Sequence, residues 1–356
     1  MNLILLFDGT WNDPQDRTNV FRLCTSLADH AKDRGRQRFF YDPGVGTGRL
    51  TRFRGGVFGY GLSRNLRKGY DWLARHYTDG DRIFIFGFSR GAYTARSLVG
   101  LIRKCGLLRV STPDLLARAE TIYRDKQTAP DDPAARTFRD RFSRLVSIHM
   151  IAVWDTVGAL GIPGTQISEK GRYAWHDTQL SGIVRHACQA MALDEHRSPY
   201  DVVLWTHPTG RKKSSQIDVE QRWFTGAHAN VGGGYGDDPL ADLPLAWIQQ
   251  KALAAGLALT PCTPPDPALT TAPRDSFAEF LGGTYQWFAK RFKPGDGRHI
   301  RKYDTDPDGH PAINVTVDPS VWERWHKDPT YRPRTLINKD LEPPKTNTQK
   351  PLPAHR

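Results

Sequence analysis

Three residue types able to build an acylating site occur along this chain, each where an apolar run gives way to small residues. They are the serine of Gly87-Phe88-Ser89-Arg90-Gly91, the aspartate of VWDTVGALG at Asp155 and the histidine of WFTGAHANVGGGYG at His228. A serine hydroxyl is a weak nucleophile until a base takes its proton. Imidazole serves best as that base when a carboxylate fixes its tautomer and stabilises the imidazolium.

The glycines make Ser89 the leading candidate. RIFIFGFSRGAYTAR runs from a buried strand through G-x-S-x-G into a helical pattern, the context of a nucleophile elbow. Such a turn holds the serine in a strained backbone conformation, and glycine two residues away on either side avoids clashes with the neighbouring strand and helix. The helix N-terminus then aims N–H groups, that of Arg90 first, at a developing oxyanion. The chain order Ser89, Asp155, His228 is the α/β-hydrolase order.

The loop Asp8-Gly9-Thr10 follows the first apolar run. The backbone N–H groups of Gly9 and Thr10 are expected to complete the oxyanion hole, with Asp8 in support; an Asx-turn closing the strand is the alternative. Asp-Gly-Thr in this setting also suggests a haloacid-dehalogenase-type phosphatase. That chemistry needs an aspartate two residues earlier, where this chain has Leu6. Asp194, in ALDEHR, is the second choice of acid, read otherwise as part of a surface charge cluster ending a helix. Asn230, with Asp237 and Asp238, offers a loose oxygen set for a hard cation that matches no calcium loop, so neither metal nor cofactor is expected. His149, His176, His186 and His207 read as ordinary histidines.

These residues need a scaffold that converges strand exits. Strand-like runs at 3–7, 38–41, 83–86, 149–154, 202–205 and 222–225 alternate with helical patterns at 20–29, 61–77, 92–105, 114–125, 134–145, 183–193 and 243–255. Continuous apolar strands between helices predict a doubly wound, mostly parallel α/β sheet covered on both faces, with ligands beyond the carboxyl ends of the strands. One catalytic domain over 1–341 is expected. Within it, insertions at about 107–147 and 162–182 are candidate helical caps, and 260–341 packs back on the core. The Pro-rich polar stretch 342–356 reads as a disordered tail.

Composition narrows the partners. The 356 residues carry 50 Lys+Arg against 38 Asp+Glu, a net charge of +12, which favours an anionic partner such as lipid headgroups. The basic clusters near Arg52 and Arg211 lack aromatic interleaving, so no nucleic acid is expected. The four cysteines show no metal or CxxC spacing and read as free thiols of a reducing compartment. MNLILLFDGT reads as a buried strand rather than a signal peptide, and no apolar run is long enough to span a bilayer. Cytoplasmic synthesis is expected.

LLFDGTWND with TNV after it, GFSRGAYTAR, VWDTVGALG, ALDEHR and WFTGAHANVGGGY stand here in the order found in one hydrolase family. They resemble the catalytic domain of the type VI secretion phospholipase effectors, over roughly residues 1–235. The resemblance implies an α/β-hydrolase fold and a Ser–Asp–His triad that cleaves phospholipid esters, with Ser89 as nucleophile, His228 as base and Asp155 as acid. It also implies signal-less export and a secretion or immunity partner of unknown identity. The family's histidine block usually has aspartate where this chain has Asn230. The expected activity is a serine esterase on lipid or phospholipid acyl esters, with peripheral contact to anionic membrane. The alternatives are an esterase on soluble small esters and a non-catalytic interaction protein on a hydrolase scaffold.

Overall fold

The computed structural model describes residues 1–9, 16–31, 35–44, 56–158, 179–236, 238–265, 271–292 and 295–344. Ten strands occur among them: β1 (Asn2–Phe7), β2 (His30–Ala31), β3 (Gly35–Asp42), β4 (Arg82–Phe88), β5 (Leu107–Leu108), β6 (Ser143–Arg144), β7 (Ile148–Trp154), β8 (Val184–Ala192), β9 (Asp218–Phe224) and β10 (Val315–Val317). Eight form one sheet in the order β10-β9-β8-β7-β4-β1-β3-β2. Every neighbouring pair from β10 to β3 is parallel, and only the short edge strand β2 runs antiparallel.

The alternating direction of side chains along each strand divides the core into two layers. Leu3, Leu5 and Phe7 of β1, with Ile83 and Ile85 of β4, face the helices Gly56–His76 and Arg90–Cys105. Ile4 and Leu6, with Phe84 and Phe86, face the helices Asn19–Ser26 and Asp242–Ala254. Helices on both faces of a parallel sheet make this the doubly wound α/β-hydrolase-like architecture.

Two expected elements differ. The stretch 183–193, which holds three alanines and is predicted helical, contains strand β8, held between β7 and β9. Seven of its nine residues are buried, so both faces are covered and the period-2 signal of a half-exposed strand is missing. Conversely, 202–205, predicted as a strand, is a connection carrying only isolated bridges such as Val157–Val202.

The insertion after the helix Arg90–Cys105 is a β5–β6 hairpin enclosing helices Pro113–Arg124 and Pro133–Phe142. It grips the far end of that helix from Ser89. Lys104 Nζ donates to Asp125 O (2.6 Å), and Arg139 Nη1 donates to Lys104 O (2.8 Å). Residues 159–178 and 345–356, which hold most of the second expected insertion and of the expected tail, lie outside the described residues, as does His176. The segment after 295 pairs β10 with β9 and buries Val321, Tyr331 and Leu336 against Trp223. All four cysteines are free thiols. No described helix is long and apolar enough to cross a membrane.

Candidate active site

β4, the central strand, ends at Phe88, and the helix begins at Arg90. Ser89 between them has φ 58° and ψ −122°. L side chains avoid this region, and such strain persists only where surrounding structure enforces it. The two flanking glycines make the turn sterically feasible. A Cβ on Gly91 would lie 2.1 Å from Phe7 O, and one on Gly87 would lie 2.6 Å from Gly91 O. The helix can therefore meet the ends of both β1 and β4 only because neither position has a side chain.

Asp155 follows β7, the next strand, and also has a positive φ, 39°. His228 opens the five-residue helix His228–Gly232 just after β9. Ser89 Oγ lies 2.8 Å from His228 Nε2, and His228 Nδ1 lies 2.6 Å from Asp155 Oδ2. An ionised carboxylate only accepts, so Nδ1 carries the proton and Nε2 presents its lone pair to the hydroxyl. The imidazole is held between Phe88, at 4.7 Å between ring centroids, and the edge of Tyr200, at 5.1 Å. Gly232 leaves room for Phe88, since a Cβ there would stand 1.9 Å from its ring.

Asp155 is wholly buried and accepts four hydrogen bonds. Oδ1 takes Ala192 N (2.9 Å) and Arg301 Nη1 (2.6 Å); Oδ2 takes His228 Nδ1 and Arg301 Nη2 (2.9 Å). Burial pushes the carboxyl up, but the Arg301 charge and the hydrogen bonds from His228 and Arg301 outweigh it, leaving Asp155 well below the usual carboxylate range. For His228, burial is the larger influence and pulls the imidazole down; the bond to Asp155 offsets this only in part.

A second buried pair supports the histidine loop. Glu195 accepts from Arg197 Nε and Nη2 at 2.8 and 2.7 Å, from Ser276 Oγ at 3.1 Å and from the backbone N–H of His228 at 3.3 Å. Arg197 in turn stacks on Tyr200 at 3.8 Å and Phe280 at 4.8 Å. The expected surface charge cluster at the end of a helix is therefore a buried network at the exit of β8. Asp194 turns away from His228. It accepts from Gly226 N (2.7 Å) and Tyr331 OH (2.9 Å), and burial raises its carboxyl.

The loop after β1 also differs from expectation. Gly9 N–H, expected to face an oxyanion, donates to Asp8 Oδ1 at 2.7 Å. Thr10 lies outside the described residues. Asp8 is buried and accepts from Thr18 Oγ1 (2.6 Å) and Tyr41 OH (2.8 Å). Burial outweighs these bonds, and its carboxyl is raised to about 6. Asn19 then ties this loop to the histidine loop, donating to Val231 O and Ala241 O at 2.9 Å each.

Asn230 does not present a cation site. Its Nδ2 donates to Asp238 Oδ2 (2.9 Å), and its Oδ1 accepts from Ala227 N (2.9 Å). Asp237 is outside the described residues. Arg301, Glu195 with Arg197, and Tyr200 were not singled out for roles from the sequence. The ALDEHR block carried a signal for the Glu195 pair, but nothing in GRHIRKYD marks Arg301.

The model of the type VI secretion system Tle1-like phospholipase effector catalytic domain matches residues 1–251. The chain belongs to this family. As a Tle1-like domain it is 30% identical over 231 residues to the uncharacterised protein YEL023C of Saccharomyces cerevisiae, covering 58% of this chain and 33% of that protein. The Tle1-like chain thus spans about a third of the curated relative it matches. Among solved structures, an uncharacterised protein from Pseudomonas aeruginosa is 18% identical with a TM-score of 0.44, over 83% of this chain and 51% of that one. The Tle1 effector bound to the VgrG spike of the type 6 secretion system is 18% identical with a TM-score of 0.36, over 67% and 52%.

Proposed function

We propose that this Tle1-like chain is a serine hydrolase that cleaves carboxylic ester bonds of lipids, phospholipids in particular, through Ser89, His228 and Asp155. The reading rests on one observation: Ser89 Oγ, His228 and Asp155 Oδ2 form a continuous hydrogen-bonded relay of 2.8 and 2.6 Å at the exits of three parallel strands. Family membership supports the ester chemistry and the lipid substrate class.

In this mechanism Ser89 Oγ attacks the ester carbonyl carbon while His228 Nε2 takes the hydroxyl proton. The tetrahedral oxyanion forms beside the N-terminus of the helix Arg90–Cys105, where the Arg90 N–H is the proposed donor. Collapse expels the alcohol, protonated by His228, and leaves the acyl-enzyme. Water activated by the same nitrogen releases the carboxylic acid and restores the serine. Asp155 keeps the productive tautomer and stabilises the transient imidazolium. Residues 1–341 are proposed to act as one catalytic unit, and delivery by a type VI secretion machine belongs to the same family reading.

The test is labelling by a fluorophosphonate probe in wild type and Ser89→Ala, beside a chain-length series of p-nitrophenyl esters and phospholipid vesicles. Labelling lost in Ser89→Ala, with fatty acid released from the vesicles, supports the proposal. Turnover confined to short soluble esters would remove the lipid claim, and an unlabelled wild type would remove the hydrolase itself.

A further inference from the structure

We infer that Arg301, 50 residues beyond the segment the family model matches, is a positioning residue of the active site that orients Asp155 and sets the basicity of His228. This rests on the triad reading proposed above. The guanidinium is fully buried and meets both oxygens of the carboxylate, at 2.6 and 2.9 Å. Its other contacts are backbone carbonyls: Nη1 donates to Ala192 O at 2.8 Å and Nη2 donates to Tyr200 O. It therefore joins the exit of β8 to the turn that packs Tyr200 against the imidazole.

The geometry gives Arg301 two effects. A planar fork on both carboxylate oxygens removes the freedom of Asp155 to swing away from His228 Nδ1. Its charge also neutralises part of what Asp155 would otherwise lend to an imidazolium. The charged and titratable groups around the imidazole are the acids Asp155 and Glu195, the cation Arg197 and the phenol of Tyr200, with Arg301 behind Asp155; Asp201 acts on Arg301 and pairs with His299. Without Arg301, two acids would face one cation with nothing neutralising Asp155, and His228 would hold its proton to higher pH.

The experiment compares full-length wild type, Arg301→Lys and Arg301→Gln on p-nitrophenyl butyrate, with active sites counted by fluorophosphonate labelling. Arg301→Gln is expected to lower kcat per labelled site about 10- to 100-fold, the loss seen when an outer partner orienting a functional group is removed, with a smaller change in KM. Its acid limb in kcat/KM should move up by roughly one pH unit. Arg301→Lys keeps the charge without the fork, so it should hold the limb near wild type and recover part of kcat. A purely structural role would lower the number of labelled sites and leave the limb in place, which would overturn the inference. So would Arg301→Lys shifting the limb as far as Arg301→Gln.

A carbon-13 NMR titration of His228, assigned by the signal missing in His228→Gln, reads the midpoint directly in wild type, in both variants and in Arg301→Met, so that one folded neutral variant suffices. A midpoint higher than wild type in Arg301→Gln or Arg301→Met upholds the inference, and an unchanged one overturns it. Should wild type neither label nor turn over ester, the hydrolase reading fails separately. The same NMR titration in wild type and variants still decides whether Arg301 governs His228.

Discussion

Ser89 and Asp155 leave adjacent parallel strands in the same way. Both have positive φ, 58° and 39°, and the Ser89 N–H donates to the carbonyl of Trp154, the residue before Asp155, at 3.0 Å. The two exits are thus strained together and tied to one another. Backbone strain of this kind costs about 1–3 kcal/mol per residue.

Glycine at position 89 relieves that strain, whereas alanine keeps the Cβ and the conflict. Ser89→Gly is expected to raise stability by about 1 kcal/mol after the entropy cost of glycine. Ser89→Ala should stay within about 0.5 kcal/mol of wild type. Both should lose turnover. Urea midpoints beside ester hydrolysis check this, and a Ser89→Gly protein less stable than Ser89→Ala would refute the strain argument.

Asp155→Asn replaces a fourfold acceptor with an amide. It leaves Arg301 as a buried cation without its counter-charge and lets His228 adopt the wrong tautomer. Turnover should fall by about 10⁴-fold, the loss measured for this substitution in other triads. Stability should fall by about 3–5 kcal/mol, because one partner of a buried pair has been removed. Calorimetry and active-site-normalised kinetics separate the two effects.

In the histidine loop, Asn230 Nδ2 donates to Asp238 Oδ2. Asn230→Asp would set two carboxyl groups 2.9 Å apart at the present spacing. One of them must then hold a proton in the folded state. Folding would take up a proton that the unfolded chain has released, so stability should drop as pH rises from about 4 to 7. Asn230→Asp combined with Asp238→Asn should restore wild-type behaviour in the same urea series; an unrescued loss would refute this account.

Asp8 supplies a pH effect already present in the native chain. Its folded carboxyl is raised to about 6 from an ordinary 3.8. Within that window the folded protein holds a proton that the unfolded chain has lost. Its contribution therefore falls as pH rises from about 4 to about 6 and stays low at pH 7, by about 3 kcal/mol. Asp155 has the opposite sign: its depressed carboxyl adds stability above about pH 4 that is lost in acid. Asp8→Asn should gain on wild type between pH 4 and pH 7, as read by paired urea titrations. An unchanged difference across that range would show that Asp8 does not bury a charge.

Much of the site was legible because its chemistry depends on local chain geometry. Gly87 and Gly91 had to flank Ser89 for steric reasons that a sequence displays. Small residues after apolar strands placed Asp155 and His228 at carboxyl ends before any contact was known. β8 was not legible: a strand covered on both faces has no alternation, and its alanines fit helix and buried strand alike. Nor could sequence decide between the two roles open to the loop after β1, oxyanion donor or a turn closed by the Asp8 side chain, because the choice turns on the Asp8 rotamer.

By itself, the order of residues determined the parallel sheet, the strained serine and the identities of its two partners, because period, glycine spacing and strand exits are properties of short stretches. Only the tertiary structure decided which buried acids are ionised and what holds them. Arg301 lies 146 residues from Asp155 along the chain. A guanidinium and a carboxylate that far apart carry no mutual signal in sequence; their pairing exists only once the strands converge and exclude water, where an unpaired charge would be too costly to remain.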